Sequence, residues 1–292
     1  MTLTRVLTAV VLIPAVVGIV WWGSTGLVAA CAGLVTLLAL LEFFSLGARA
    51  GLDGYRLWTG FCALAVLFAQ WSAAGMESWN LGRTGLLMIR TGGVGRPLEV
   101  PLDGVLLMFV VGAAAIALGS RGPLSEVLPA IGISAAGLLF VALPLSYVVR
   151  LHGAGADGPR LLLFTLVLVW VGDTLAYFVG RSVGRLPMAP QISPKKTWEG
   201  AAANLLGSLL VGALFGRWLN VEPRHLLLMA GLGNVAGQAG DLLESAYKRS
   251  AGVKDSSGLL PGHGGILDRI DALVLAAPVV WYYFQLAVSR SR

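Results

Sequence analysis

The chain has 292 residues, of which 57% are hydrophobic and 12% charged, with a net charge of +6 and a mean hydropathy of +0.80. A soluble domain carries about 25% charged residues, and its surface needs more polar coverage than this composition supplies. A soluble enzyme, a disordered chain and a collagen-like chain are excluded; the expected fold is all-α, polytopic and membrane-embedded.

A helix crosses the hydrocarbon core with about 20 mostly apolar residues. Nine runs meet that description: 5–22, 25–47, 57–74, 103–119, 127–149, 161–180, 200–218, 225–244 and 269–288. Val28-Ala29-Ala30-Cys31 has the look of a lipoprotein cleavage box. Trp21, Trp22 and Gly23 interrupt the run before it, however, and Ala32 to Leu41 is again apolar, so a second membrane helix is expected there. Cys31 and Cys62 have no CxxC spacing, which argues against a disulfide framework or a zinc site.

Trp21, Trp22, Trp58, Trp71, Trp198, Trp218 and Trp281 stand near the ends of runs, as interfacial anchors would. Pro14, Pro144 and Pro278 fall inside spans, where membrane helices tolerate kinks. The Gly-rich 75–102 stretch, with Arg83, Arg90 and Arg96, is expected to be a long loop.

The side holding the N-terminus and the loops at 48–56, 120–126, 181–199 and 245–269 carries about 12 of the Lys and Arg residues, against about 9 on the other. That bias places the 181–199 and 245–269 loops in the cytoplasm, on a multi-pass protein expected in the bacterial cytoplasmic membrane. The chain is expected to form one transmembrane domain. Residues 1–160 would be scaffold helices with surface for oligomer contacts, a homodimer among them, and residues 161–292 would carry the chemistry.

The first half holds one carboxylate clearly within a span, Glu42. Its insertion costs about 2.5–3.5 kcal/mol, so it must face a polar cavity or pair with an arginine near a helix end; the pairing is the expectation. The second half is richer. Gly172-Asp173 interrupts an apolar run, and Ser193-Pro194-Lys195-Lys196-Thr197 precedes the next one. A bare Lys-Lys pair suits a positive-inside anchor. The alternative is a phosphate holder, built from the lysines and the backbone N–H groups of the helix start.

Asp241, Ser245 and Lys248 share one helix face by their spacing of four and three, with Glu244 three residues from Asp241 and Asn234 and Gln238 extending the stripe inward. Gly233, Gly237 and Gly240 lie a turn apart and allow another backbone to come close. A Gly-rich loop follows, with a lone His263, and Asp268 and Asp271 open the last helix on one face. Carboxylates beside dense lysines and arginines suggest a Mg²⁺ ion carrying a polyphosphate.

At these positions the sequence resembles the phosphatidate cytidylyltransferases, or CDP-diacylglycerol synthases. The resemblance is carried by Ser245, Lys248-Arg249, Lys254-Asp255, Pro261, His263-Gly264-Gly265, Asp268-Arg269 and Asp271, a dozen specified positions within 27 residues and with every spacing kept. Tyr247 departs from the usual aliphatic residue or Phe, a change that puts little in doubt. The Ser193-to-Gly200 segment and Gly172-Asp173 are also similar to that family, so the strong match runs from about 171 to 271.

The resemblance implies that CTP and phosphatidate react to give CDP-diacylglycerol and pyrophosphate with Mg²⁺ as cofactor, CTP, phosphatidate and membrane lipids being the partners and nucleic acid not among them. It further implies Asp241 and Asp268 as metal ligands, with Asp271 as ligand or neighbour, and catalytic roles for Asp241, Asp268, Asp271 and Lys248. Ser245, Lys248 and Arg249 become candidates for the lipid phosphate. Lys195, Lys196 and Arg269 become candidates for the triphosphate, and Ser193, Thr197, Lys254, His263, Gly264 and Gly265 for further substrate contacts. A CTP-dependent lipid kinase would instead release CDP. An ion-coupled transporter would place its polar residues mid-span in paired broken helices, whereas here they gather at one edge.

Overall fold

A computed structural model describes residues 2–80, 100–219, 221–259 and 264–288, and the side chains of all of these except 2–9, 75–80 and 217. The elements in order are α1 (Thr2–Trp22), α2 (Thr25–Arg49), α3 (Arg56–Asn80), α4 (Leu102–Gly119), α5 (Leu124–Gly137), α6 (Leu143–His152) and α7 (Gly158–Val183). A two-stranded hairpin follows, β1 (Pro187–Ala189) with β2 (Ser193–Thr197), and then α8 (Trp198–Leu214), α9 (Gly216–Leu219), α10 (Pro223–Ser250) and α11 (Leu267–Tyr283). Seven helices among the described residues are long and apolar enough to cross a membrane, and Val10–Trp22 and Trp198–Leu214 are shorter apolar helices at the first and seventh expected positions. The protein is an all-α polytopic membrane protein.

Local chemistry sets the helix ends. Ser24 Oγ accepts the Leu27 N–H at 3.2 Å to start α2, which runs straight through the Val28–Cys31 segment. Pro144 has no N–H to return to Phe140, and a π turn at Leu138–Ala142 spans that position between α5 and α6. At the end of α10, Gly252 adopts φ +69°, and Val253 N–H reaches the Lys248 carbonyl at 2.9 Å, a left-handed stop that only glycine adopts without strain. The expected 75–102 loop starts later than read, since α3 continues to Asn80; residues 81–99, with Arg83, Arg90 and Arg96, lie outside the described residues.

The chain divides into two compact units. The first comprises Met1–Pro159 together with Ser256–Leu267. Its core is built where α2, α3 and α6 pack together, from Ala39, Leu40, Phe43 and Phe44, from Cys62, Ala63 and Val66, and from Val149 and Leu151. Trp58, read as an interfacial anchor, is half-buried against α4: a Cβ on Gly112 would meet its ring, and its Nε1 donates to the Phe109 carbonyl at 3.1 Å.

The second unit comprises Arg160–Asp255 and Asp268–Arg292. Leu161, Phe164 and Leu168 of α7, Met229 and Ala230 of α10, and Ala276, Ala277 and Val280 of α11 are among its fully buried apolar residues. Trp281, also expected at an interface, is 2% exposed and belongs to this core. The glycine face of α10 admits α11. A Cβ on Gly240 would strike the Asp271 carbonyl oxygen, one on Gly237 would stand 3.3 Å from that of Ala272, and one on Gly233 would press on Val280. Large apolar side chains are meanwhile exposed along many helices, Leu57, Leu118 and Leu124 most of all, as expected where the solvent is lipid.

Candidate active site

The second unit gathers four acids and two lysines from α10, α11 and the hairpin. Asp241, Glu244 and Asp271 each bring a carboxylate oxygen within 4.8 Å of the other two. Helical spacing puts Asp241 and Glu244 on one face of α10, and the absence of a side chain at Gly240 lets the backbone of Asp271 come against it. Lys196 Nζ stands 2.7 Å from Asp241 Oδ2. Lys248 Nζ stands 2.6 Å from both Glu244 Oε2 and Asp268 Oδ1, so one ammonium joins a carboxylate of α10 to one of α11.

Two carboxylates at such a separation repel by about 3–4 kcal/mol at an effective dielectric near 20. The two lysines offset part of this. Four carboxylates against two ammonium groups leave these six side chains at a formal charge of −2, which one divalent cation would neutralise. The donor set is all oxygen and hard, as Mg²⁺ requires; Asp241, Glu244 and Asp271 are the residues placed to hold such an ion. Asp268, expected beside Asp241, is engaged by Lys248 and is not one of those three.

The hairpin carries the lysines. Pro187 pairs with Thr197 and Ala189 with Ser193, so Lys195 and Lys196 lie on a strand within what had been read as the 181–199 loop. Thr197 ends that strand and caps α8, its Oγ1 accepting the Gly200 N–H at 3.2 Å. Arg249 pins the hairpin: Nε donates to the Ile192 carbonyl at 3.0 Å, and the guanidinium also donates to the Val253 carbonyl at 3.0 Å. Lys195, Lys254 and Arg269 are exposed, Ser193 is half-buried, and Ser245 is buried on α10.

A polar chain leads inward from this edge. Asn204 Nδ2 donates to Asp173 Oδ1 at 3.1 Å, Asn234 Nδ2 donates to Ser208 Oγ at 2.7 Å, and Gln238 Nε2 donates to Asn234 Oδ1 at 2.6 Å. The stripe expected from Asn234 and Gln238 is therefore a hydrogen-bonded network joining α7, α8 and α10.

In the first unit, Gly264 has φ +78°, and a Cβ on Gly265 would run into Ser256 Oγ and a Glu42 carboxylate oxygen. Gly264 thus answers to a backbone constraint and Gly265 to the space that the Ser256 and Glu42 side chains fill. His263 and Pro261 lie outside the described residues. Among the described residues Glu42 pairs with no arginine; it accepts from Ser256 Oγ at 2.9 Å, Ser257 Oγ at 2.6 Å, Ile266 N–H at 2.9 Å and Leu267 N–H at 2.8 Å.

Residues 3–287 match the cytidylyltransferase family. The chain belongs to that family. Over 291 residues it is 36% identical to a phosphatidate cytidylyltransferase of Brucella abortus, covering 96% of this chain and 92% of the relative. It is 44% identical over 133 residues to that of Haemophilus influenzae, spanning 44% of this chain and 46% of the relative, and 37% identical over 160 residues to that of Bacillus subtilis, spanning 54% and 59%. Two features of this cytidylyltransferase-family chain escaped the sequence. Glu244 was visible as a neighbour of Asp241 by its spacing, and weighting that spacing would have placed it in the cluster. The partners of Glu42 left no local signal.

Proposed function

We infer that this chain transfers the cytidylyl group of CTP to phosphatidate, forming CDP-diacylglycerol and pyrophosphate in phospholipid synthesis. The observation that carries this reading is the family match across residues 3–287, with relatives of that name aligned over most of the chain.

In the reaction, a phosphate oxygen of phosphatidate attacks the α-phosphorus of CTP. The bond to the β-phosphate oxygen breaks, and pyrophosphate leaves. Such a transfer needs positioning and charge neutralisation more than a protein nucleophile. A Mg²⁺ ion, when bound, would neutralise phosphate charge and polarise the reacting phosphorus. Asp241, Glu244 and Asp271 would hold it, with Asp268 set beside them by Lys248. Lys196 stands at the edge of the carboxylates and would meet the triphosphate, with Lys195 beside it on the strand and Arg269 next to Asp268, both exposed and ready for the same role. Lys248 and Ser245 supply a donor and a hydroxyl for the lipid phosphate. Arg249 holds the lysine hairpin in place and keeps guanidinium nitrogen for a phosphate oxygen. The site would face the cytoplasm of the bacterial inner membrane, where CTP is made.

The test is the full-length protein in detergent with CTP, phosphatidate and Mg²⁺. Equal yields of pyrophosphate and CDP-diacylglycerol are expected. Release of CDP with a newly phosphorylated lipid would replace the reading with that of a lipid kinase.

A further inference from the structure

Glu42 is 5% exposed, on α2, in a stretch whose neighbours Leu40, Phe43 and Phe44 are core. An isolated carboxylate there would be strongly disfavoured. Four donors surround it instead, two per oxygen: Ser256 Oγ and Leu267 N–H at Oε2, Ser257 Oγ and Ile266 N–H at Oε1. The two amides belong to the opening of α11, where the first N–H groups have no partner within the helix and attract negative charge. The two hydroxyls belong to the other end of the same connecting segment. One side chain therefore clasps both ends of residues 256–267, and Gly265 is bare because Glu42 and Ser256 occupy the space of its Cβ.

The next residue in the chain is Asp268, in the first turn of α11, with Asp271 three residues on. We propose that Glu42 is a positioning residue for cytidylyl transfer: its carboxylate caps α11 from a remote helix and thereby fixes where the signature aspartates begin. The catalytic half of this proposal rests on the transferase reading above. The clasp itself does not, and it is read separately.

The experiment uses the full-length chain in lipid nanodiscs, with Glu42→Gln, Ser256→Ala, Ser257→Ala and the double serine variant. Gln presents one acceptor and one NH₂, so two of the four donors would face a donor. Amide hydrogen exchange of the peptide covering residues 264–269 should accelerate at least about tenfold in Glu42→Gln. Its kcat should fall at least about thirtyfold, with KM for CTP and for phosphatidate changed less than threefold. Each serine variant should lose about fivefold in kcat and the pair more, following exchange in the same order.

Faster exchange with kcat within twofold of the parent would reduce Glu42 to a stability residue and overturn the proposal. So would unchanged exchange, whatever happens to turnover. Should Glu42→Gln fail to accumulate, the serine series decides by the same two readouts. If the parent makes no CDP-diacylglycerol, the transferase reading fails, and exchange in the variants still tests the clasp.

Discussion

Lys248 Nζ lies 2.6 Å from Asp268 Oδ1 while holding Glu244 at the same distance. The lysine side chain is 13% exposed, and its two partners are 4% and 6% exposed. A pair buried to this extent is costly to break from one side, because the remaining charges keep their desolvation cost without their partner.

Lys248→Ala should therefore destabilise the protein by about 3–5 kcal/mol and reduce turnover at least tenfold in whatever fraction remains folded. Lys248→Arg should restore stability in part and activity little, since a planar fork does not replace a point charge between two carboxylates. Thermal melting and initial rates on the same preparation check both statements. Parent-like melting in Lys248→Ala would mean that the bridge is not held in the membrane.

Asp241→Asn and Asp271→Asn should each lower turnover by at least about two orders of magnitude, roughly 2.7 kcal/mol of barrier. Chelation of divalent ions should silence the unmodified enzyme equally. Asp268→Asn should cost as much by releasing Lys248, but with a different signature: it should lower the melting temperature of the chelated protein. Asp271→Asn should raise it, because one repulsive charge leaves the cluster. Activity against Mg²⁺ concentration, with melting in excess chelator, separates the two aspartates.

Arg249→Ala removes the donor that ties α10 to Ile192. The expected result is faster proteolytic cutting between 185 and 195 and about a fivefold rise in KM for CTP, with the helices intact by circular dichroism. An unchanged KM for CTP together with a raised KM for phosphatidate would assign the guanidinium to the lipid instead.

Single cysteines at Lys195 and at Gly258, both exposed positions, report the side of the membrane. In a background lacking Cys31 and Cys62, both should be shielded from impermeant thiol reagents in intact cells and react after permeabilisation. Labelling of either from outside would remove the cytoplasmic placement.

The helices were legible because long apolar runs leave few alternatives, and the face of α10 was legible because glycine and carboxylate spacing follows the helical period. The hairpin was not. Proline and paired lysines are poor strand formers, and Ser193–Thr197 becomes a strand only through pairing with Pro187–Ala189 and the grip of Arg249 on Ile192. Trp281 stands near the end of an apolar run, as an anchor does, yet packing buries it. The same limit hid Glu244 from Asp271: the helix of Asp271 offers Asp268 and the resemblance implies Asp241, whereas the approach permitted by Gly240 brings Glu244 as well.

The bonds at Glu42 also impose an order of events on synthesis. Leu267 N–H lies 225 residues beyond the carboxylate that it meets. At about 5–20 residues per second the ribosome needs roughly 11–45 seconds to make that stretch. During this interval α2 must enter the translocon with an acidic side chain whose eventual donors do not yet exist. A chaperone, a lipid headgroup, water or a bound proton has to satisfy Glu42 until the last helix arrives. Chains stalled before residue 256 accordingly carry a carboxylate on α2 that has none of the four donors of the finished protein.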